Sequence, residues 1–502
     1  MRHLFMKNSV KFIILIIITR IGSNFANSEE MNIWPQFRGP NSSGVAEGAS
    51  PPIHFGPGNN ELWHLPLNSG HSSPCISGDS LFVTTFNESN KELGVVCISL
   101  TTGKKQWEQI VRAKEIESGH PSFNPASSSP TTDGDRVIAY FGSYGLLCFD
   151  INGEELWEVK MPLTRSFAGN ATSPAIYDNR VVLYRANHVD HFLIAFDKYT
   201  GKEIWKIIQG EKFVDEMACT ACPILFERTV IAHTARSVQG YDLSTGARIW
   251  ITKCATTATS TPVIAGSKVI VAAWNKMGEP ILRPQIPSFK ELVKQHDNDN
   301  NGTISKNEFP RLWIFHRPLG SEAPLNGATV RFDRTDSDGD NQITEIEWLK
   351  YLKVIEKFRS RYRTHGLIRI DLKSEGIVEE NSIEVLANRG IPEVPSPIYH
   401  EGYVYMVKNG GLLTCIDVTS AERKYQIRTG SRGTHYASPI IAGQHLFTIS
   451  GSGEIAIIRL GPNPKVLSIN DMNEKVFATP AIVNGVIYVR THGNLYAFGD
   501  KN

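Results

Sequence analysis

Asp297, Asp299 and Asn301 place three oxygen-bearing side chains at alternate positions, with Gly302 next and Glu308 closing the run. Oxygen ligands at this spacing suit a hard divalent cation, and calcium takes about six to eight of them. In a twelve-residue frame from Asp297, Thr303 offers its backbone carbonyl, Ser305 acts through a water and Glu308 binds with both carboxylate oxygens. Gly302 makes the sharp turn, and Ile304 supplies a short extended contact to a partner loop. That partner starts at Asp336 and continues with Asp338, Asp340, Gln342, Thr344 and Glu347. It departs from the pattern once, because Asn341 stands where glycine belongs. Asn enters the left-handed region more easily than most residues, so the turn is expected to survive.

The first run fits the EF-hand calcium loop at every diagnostic position and the second at all but that one, so the pair is expected to hold two calcium ions. Helices must present the loops. Phe289, Leu292 and Val293 share one helical face ahead of the first loop, and Trp348 to Ile355 reads as the helix leaving the second. Pro310 follows the first loop so closely that its exit helix starts badly. Met277 is the one methionine near this segment, so no Met-rich groove for target peptides is expected. A constitutively loaded structural clip is therefore the expected role, rather than a switch.

The rest of the chain is a repeat. Eight times a small or hydroxyl residue precedes proline and opens a strand, turn and strand: Ser73-Pro74, Ser129-Pro130, Ser173-Pro174, Cys222-Pro223, Thr261-Pro262, Ser396-Pro397, Ser438-Pro439 and Thr479-Pro480. Proline in first place costs no ladder hydrogen bond. Six of the spacings suit one four-stranded propeller blade of about 40–50 residues. The gap from Thr261 to Ser396 is far longer, which places the acidic loops in an insert within the fifth copy. A second signature follows each strand pair, as in Asp197-Lys-Tyr-Thr-Gly201 with Trp205. Related copies carry Gly103 with Trp107, Gly153 with Trp157 and Gly246 with Trp250; Asp371 to Gly376 and Asp417 with Tyr425 are weaker copies. Asp accepts backbone N–H groups at the turn, glycine takes the left-handed position and tryptophan covers the seam to a neighbour. The last copy has room for three strands only, and Asn60–Leu67 with Trp63 is a fourth strand lacking its own three. The expected fold is all-β: an eight-bladed β-propeller closed by an N-terminal strand, with a small α-helical EF-hand insert.

The Asp-x-x-Thr-Gly-x-x-x-Trp pattern resembles the quinoprotein-type (PQQ-repeat) eight-bladed propellers, over about 57–280 and 365–502. That resemblance implies either a quinone (PQQ)-dependent oxidoreductase or a non-catalytic relative such as an envelope-protein assembly factor. The opening Trp34-Pro-Gln-Phe37-Arg-Gly-Pro40 looks like the start of bacterial secreted proteins of this kind, with Trp34 and Phe37 expected to pack on the propeller. The dehydrogenases of the family carry adjacent, disulfide-linked cysteines beside the quinone. This chain has no Cys-Cys pair and no recognisable catalytic Asp set, so the likeness implies fold rather than cofactor.

Segments just before the inner strands should meet at the channel mouth, where propellers usually bind. They contain His71, His120, Asn124, Arg165, Asn170, Glu216, Thr259, Arg389, Arg432 and His435. His71, His120, Asn170, Arg432 and His435 are the candidates for a funnel site with a protein, glycan or small-molecule ligand. No catalytic residue is assigned, since no nucleophile–base motif or phosphate loop is present. Cys97, Cys148 and Cys415 fall at matching third-strand positions, as do Ala195 and Ala497, and read as core; Cys219-Thr-Ala-Cys222 reads as structural.

Composition agrees with this organisation. Lys and Arg total 52 against 51 Asp and Glu, so no basic excess points to nucleic acid. Seven cysteines in 502 residues exclude a disulfide scaffold. Arg2, Lys7 and Lys11 precede the short apolar run 12–19, which Arg20 ends too early for a membrane span. Residues 1–26 are thus expected to be a signal peptide for a periplasmic or secreted protein. The expected organisation is 27–56 extension, 57–280 propeller, 281–364 insert and 365–502 propeller, with no membrane span in the mature chain.

Overall fold

The computed structural model describes residues 33–500 except 212, 214–216, 219, 255, 276–277, 280–281, 317–326 and 361–364. The signal peptide expected over residues 1–26, Glu216 and Cys219 lie outside the described residues. Among the described residues, no helix is long and apolar enough to cross a membrane.

Eight antiparallel sheets of four blade strands each form the propeller. Blade one runs from Cys75–Ser77 to Lys105–Arg112, and blade two from Thr131–Thr132 to Glu155–Lys160. Blades three and four follow in the same way, ending at Glu203–Ile208 and Arg248–Lys253. In blade eight, the N-terminal strand Glu61–Pro66 pairs with Asn494–Phe498, and Trp63 faces Ala497. The ring closes through two ends of the chain, as the partial copies require.

Inner strands are buried on both faces, because each blade is covered by two neighbours. Arg136–Phe141 is buried at every position, whereas the outermost strand of the same blade buries chiefly Trp157. The apolar core is therefore divided among the seams. One cluster joins Ile138 and Tyr140 of blade two to Val181 and Leu183 of blade three. Another joins Val271 and Ile368 of blade five to Ile231 of blade four.

The tryptophan signature works as expected at four seams. The indole N–H of Trp63 donates to Leu100 O, Trp107 to Ile151 O, Trp157 to Lys198 O and Trp205 to Leu243 O, all at 2.9–3.0 Å. Each ring lies on the turn glycine of the next blade. A Cβ on Gly201 would stand 2.7 Å from the Trp157 ring, and Gly201 has φ 69°. The residue opposite each such ring must be small. Cys97 faces Trp107, Cys148 faces Trp157 and Ala195 faces Trp205, which explains the buried cysteines. Trp250 departs from the pattern. The turn after it in blade five is one residue longer, Gly376 has nothing within 4 Å of its would-be Cβ, and Trp250 packs against Gly240 instead. Its indole nitrogen finds no partner, and Gly376–Val378 adds a parallel strand beside it.

Between Lys268–Ala273 and Gly366–Asp371, adjacent strands of blade five, the chain leaves the sheet. It forms α1 (Phe289–His296), a single turn α2 (Phe332–Thr335) and α3 (Glu345–Ser360). Ser288 and Glu291 form a capping box that starts α1. No helix follows the first acidic loop. Pro310 interrupts there, and Trp313–His316 instead pairs with Gly327–Thr329. These elements share their own core around Leu292, Ile304, Ile343 and Trp348, separate from the seams.

Candidate functional sites in the funnel and the insert

The eight residues that precede the blade prolines form a closed hydrogen-bond ring around the channel. The backbone N–H of Ser73 donates to Ser129 Oγ at 2.9 Å, and Ser129 N–H to Ser173 Oγ at 2.9 Å. Ser173 N–H reaches Cys222 Sγ at 3.3 Å, and Cys222 N–H reaches Thr261 Oγ1 at 3.0 Å. Thr261 N–H donates to Ser396 Oγ, Ser396 N–H to Ser438 Oγ and Ser438 N–H to Thr479 Oγ1, at 2.9–3.0 Å. Thr479 N–H closes the circle on Ser73 Oγ at 3.1 Å. This is why the repeat writes a hydroxyl there: each buried N–H beside the channel needs an acceptor from the next blade.

Above the ring opens a cavity of about 410 Å³. Phe123, Phe167, Trp274, Tyr436 and Phe477 contribute aromatic walls. Phe37 of the N-terminal extension also lines it. The extension spans the ring: Trp34 pairs with Ile76 in blade one, Pro35 O accepts from Thr132 N–H in blade two, and Val45 pairs with Ile441 in blade seven. Arg38, fully buried, donates to Pro397 O of blade six at 2.7 Å. Burial lowers its pKa to about 9. Trp34 packs on the body as expected; Phe37 does more, since it faces the cavity.

The funnel differs from the mixed-charge rim expected from sequence. His71 and His120 line it. The His71 ring lies 4.5 Å from that of Phe477, and His120 Nδ1 bonds Ser122 Oγ at 2.7 Å. Burial, reinforced by His492 and Arg490, lowers the His71 pKa to about 3, so this ring is neutral at ordinary pH. Thr259 lines the cavity and donates to the backbone carbonyl of Glu393. The other described candidates are not among its lining residues. Asn170 donates to Ser128 Oγ at 2.9 Å, and Asn124 caps its own loop. His435 is buried against Ser431 at 3.1 Å, with its pKa lowered to about 4 by burial. Arg165, Arg389 and Arg432 are exposed. Loop direction, not sequence offset alone, decides whether such a residue lines the cavity. The missed wall residues had a signal: Phe123 and Phe167 each stand seven residues before a blade proline, and Tyr436 and Phe477 each three.

PQQ, the quinone implied by the repeat resemblance, is a flat aromatic polycarboxylate. The aromatic walls suit a flat ring. Among the described lining residues, however, there is no Arg or Lys to balance its carboxylates, and Glu393 adds an acid. The residues present therefore do not fit PQQ.

The two acidic loops are built alike. Gly302 N–H donates to Asp297 Oδ2 at 2.9 Å, and Asn341 N–H to Asp336 Oδ2 at 3.0 Å. Asn298 N–H donates to Glu308 Oε1 at 2.8 Å, and Ser337 N–H to Glu347 Oε1 at 2.7 Å. Ser305 and Thr344 N–H each reach the other oxygen of their glutamate at 2.9 Å. Gly302 has φ 80° and Asn341 φ 66°, so Asn341 adopts the left-handed turn that its position demands. Ile304 pairs with Ile343, and Thr303 Oγ1 donates to Gln342 Oε1 at 2.7 Å, joining the loops. Ligand oxygens of Asp297, Asp299 and Glu308 lie within 4.8 Å of one another, as do those of Asp336, Asp338 and Asp340. Among the described residues, no group of histidines meets that test. The Ser305 hydroxyl, then the N–H groups of Ser305 and Asn298, lower the Glu308 pKa to about 2. Its carboxylate is charged at neutral pH.

Residues 91–280 match the family model described as outer membrane protein assembly factor BamB. No curated protein sequence matches the chain. BamB from Moraxella catarrhalis is similar in fold, with a TM-score of 0.50 at 12% identity over 88% of this chain and 98% of that one. The quinohemoprotein alcohol dehydrogenase from Comamonas testosteroni gives 0.53 at 11% identity, over 94% and 81%. A europium-containing methanol dehydrogenase gives 0.54 at 9% identity, over 93% and 98%. The chain is an eight-bladed β-propeller, and its residues 91–280 match the BamB family model.

Proposed function

We propose that this protein is a calcium-binding β-propeller that acts as a binding scaffold in the periplasm or outside the cell, reached through a signal peptide over residues 1–26. The observation that carries the calcium reading is the duplicated loop: matching N–H to carboxylate bonds in both copies, joined at Ile304 and Ile343. Side-chain oxygens of Asp297, Asp299, Asn301 and Glu308 would hold one ion, with the Thr303 carbonyl and a Ser305-bound water. Asp336, Asp338, Asp340 and Glu347 would hold the second, with the Gln342 carbonyl and a Thr344-bound water. Calcium supplies charge that gathers these oxygens and fixes the insert. The funnel is the binding surface, since it is a concave, largely apolar cavity at the channel mouth.

Calorimetric titration of the chelator-stripped protein with calcium, then of the loaded protein with PQQ, tests this. Uptake of two ions and no quinone heat is expected. Failure to take up calcium overturns the calcium reading, and stoichiometric quinone binding would make the funnel a redox site. A second reading, assembly of envelope proteins, is favoured by the BamB-model match over 91–280. Affinity capture from envelope extracts that returns no envelope protein would remove it.

A further inference from the structure

Most of the funnel wall comes from the blades, but Phe315 comes from the insert. It is 2% exposed and belongs at once to the cavity lining and to the insert core of Ile343, Trp348 and Ile355. Its strand stands where a helix would leave the first acidic loop. The backbone beside it is held from α3. The Arg359 guanidinium donates to Ile314 O at 2.6 and 3.1 Å and to Pro284 O at 2.9 Å. The same helix carries Glu347 in its first turn. One rigid element thus joins the second acidic loop to the funnel wall.

The cavity selects by charge and shape. Its described lining residues include no Lys or Arg and one acid, Glu393; His71 is neutral, and burial lowers the His120 pKa as well. Among those described residues an anion meets no cationic side chain. The ring hydroxyls accept from backbone N–H groups, and those of Ser129 and Ser438 line the cavity as hydrogen-bonding groups. Aromatic faces such as Trp274 and Phe477 suit the C–H face of a ring. We infer that the funnel binds an uncharged, oxygen-rich ring of the sugar type, and that Phe315 completes its wall so that calcium in the insert tightens the binding. This rests on the proposed reading of the insert as a calcium site and of the funnel as the binding surface.

The test is calorimetry on the full chain with p-nitrophenyl β-glucoside, which is neutral, and p-nitrophenyl sulfate, which is anionic with the same aromatic ring. The glycoside should bind at least about tenfold more tightly than the sulfate. Chelation should weaken it roughly fivefold or more, and the glycoside should raise calcium affinity by the same factor. Ala171→Trp, which fills the cavity, should abolish binding. Phe315→Ala should lose the calcium dependence. Because that change also empties the insert core, Arg359→Met serves as a second variant that keeps the ring and cuts its tie; it should reduce the calcium effect with calcium uptake retained. Equal or tighter sulfate binding, indifference to Ala171→Trp, or no glycoside binding up to about 10 mM overturns the inference. Calcium uptake with calcium-independent glycoside binding sinks the coupling and leaves the calcium reading standing. Glycoside binding without calcium uptake sinks that reading together with the coupling.

Discussion

The Ser73 hydroxyl accepts the backbone N–H of Thr479 at 3.1 Å across 406 residues of sequence. This contact closes the ring of eight on the channel side, as the Trp63 strand closes it on the outer side. Both partners are buried, so losing the acceptor leaves an N–H unpaired, at a cost of about 1–3 kcal/mol. Ser73→Ala should lower the stability by that amount in denaturant titration. Ser73→Cys should cost less, because Cys222 already fills the equivalent place and accepts Ser173 N–H through sulfur. Equal losses for the two variants would show that the hydrogen bond is not what the ring needs.

Glycine at the blade turns answers two demands that can be separated. Gly201 and Gly376 both sit in the left-handed region, at φ 69° and 65°. Only Gly201 carries a tryptophan, Trp157, against its would-be Cβ. Gly376→Ala should cost the conformational term alone, about 1–2 kcal/mol. Gly201→Ala adds steric overlap of about 1–3 kcal/mol and should shift the unfolding midpoint further. Matching midpoints for the two variants would mean that the indole contact contributes nothing.

Blade number and ring closure were legible because they depend on local spacing. Proline at a strand start, glycine at a turn and aspartate beside it act within a few residues. The ring of hydroxyls was visible only as eight separate letters, since each partner lies in the next blade. The funnel walls were harder still. Arg432 and His435 are near neighbours in sequence, yet one is exposed and the other buried behind Ser431. Nothing in the repeat marks Phe315, which reaches the cavity from a module with its own core. Trp250 shows the converse: a letter-perfect signature whose partner glycine moved when one residue entered the turn after it.

Glu117 gives the fold a pH dependence. Its carboxyl is buried and donated to by the Thr164 hydroxyl, with Arg185 nearby. Burial dominates, and raises its pKa from 4.5 to about 8. The folded state therefore holds a proton that the unfolded state releases from about pH 4.5 upward. Stability contributed by this group falls as pH rises from there to about 8, then levels. Glu117→Gln stays neutral throughout. Its midpoint should match the wild type near pH 5 and exceed it near pH 8, by an amount on the order of 1–3 kcal/mol. A constant difference across that range would show that Glu117 does not titrate there.

The two acidic loops should respond to different single changes. Asn341 holds φ 66° with a side chain, where the first loop uses Gly302 at φ 80°. Asn341→Gly removes that conformational cost and should tighten the second site roughly two- to fivefold. Glu347→Gln removes the charge of the closing ligand and should weaken the same site by about tenfold or more, leaving the first site unchanged. Calcium at a hundred times its Kd adds about 2.7 kcal/mol to whatever unit it binds. The insert has its own core, so chelation should lower an insert transition and leave the propeller transition nearly in place. Calorimetric scans with and without chelator separate the two. If both transitions moved together, calcium would be stabilising the blades as well, and the insert would be no separate unit.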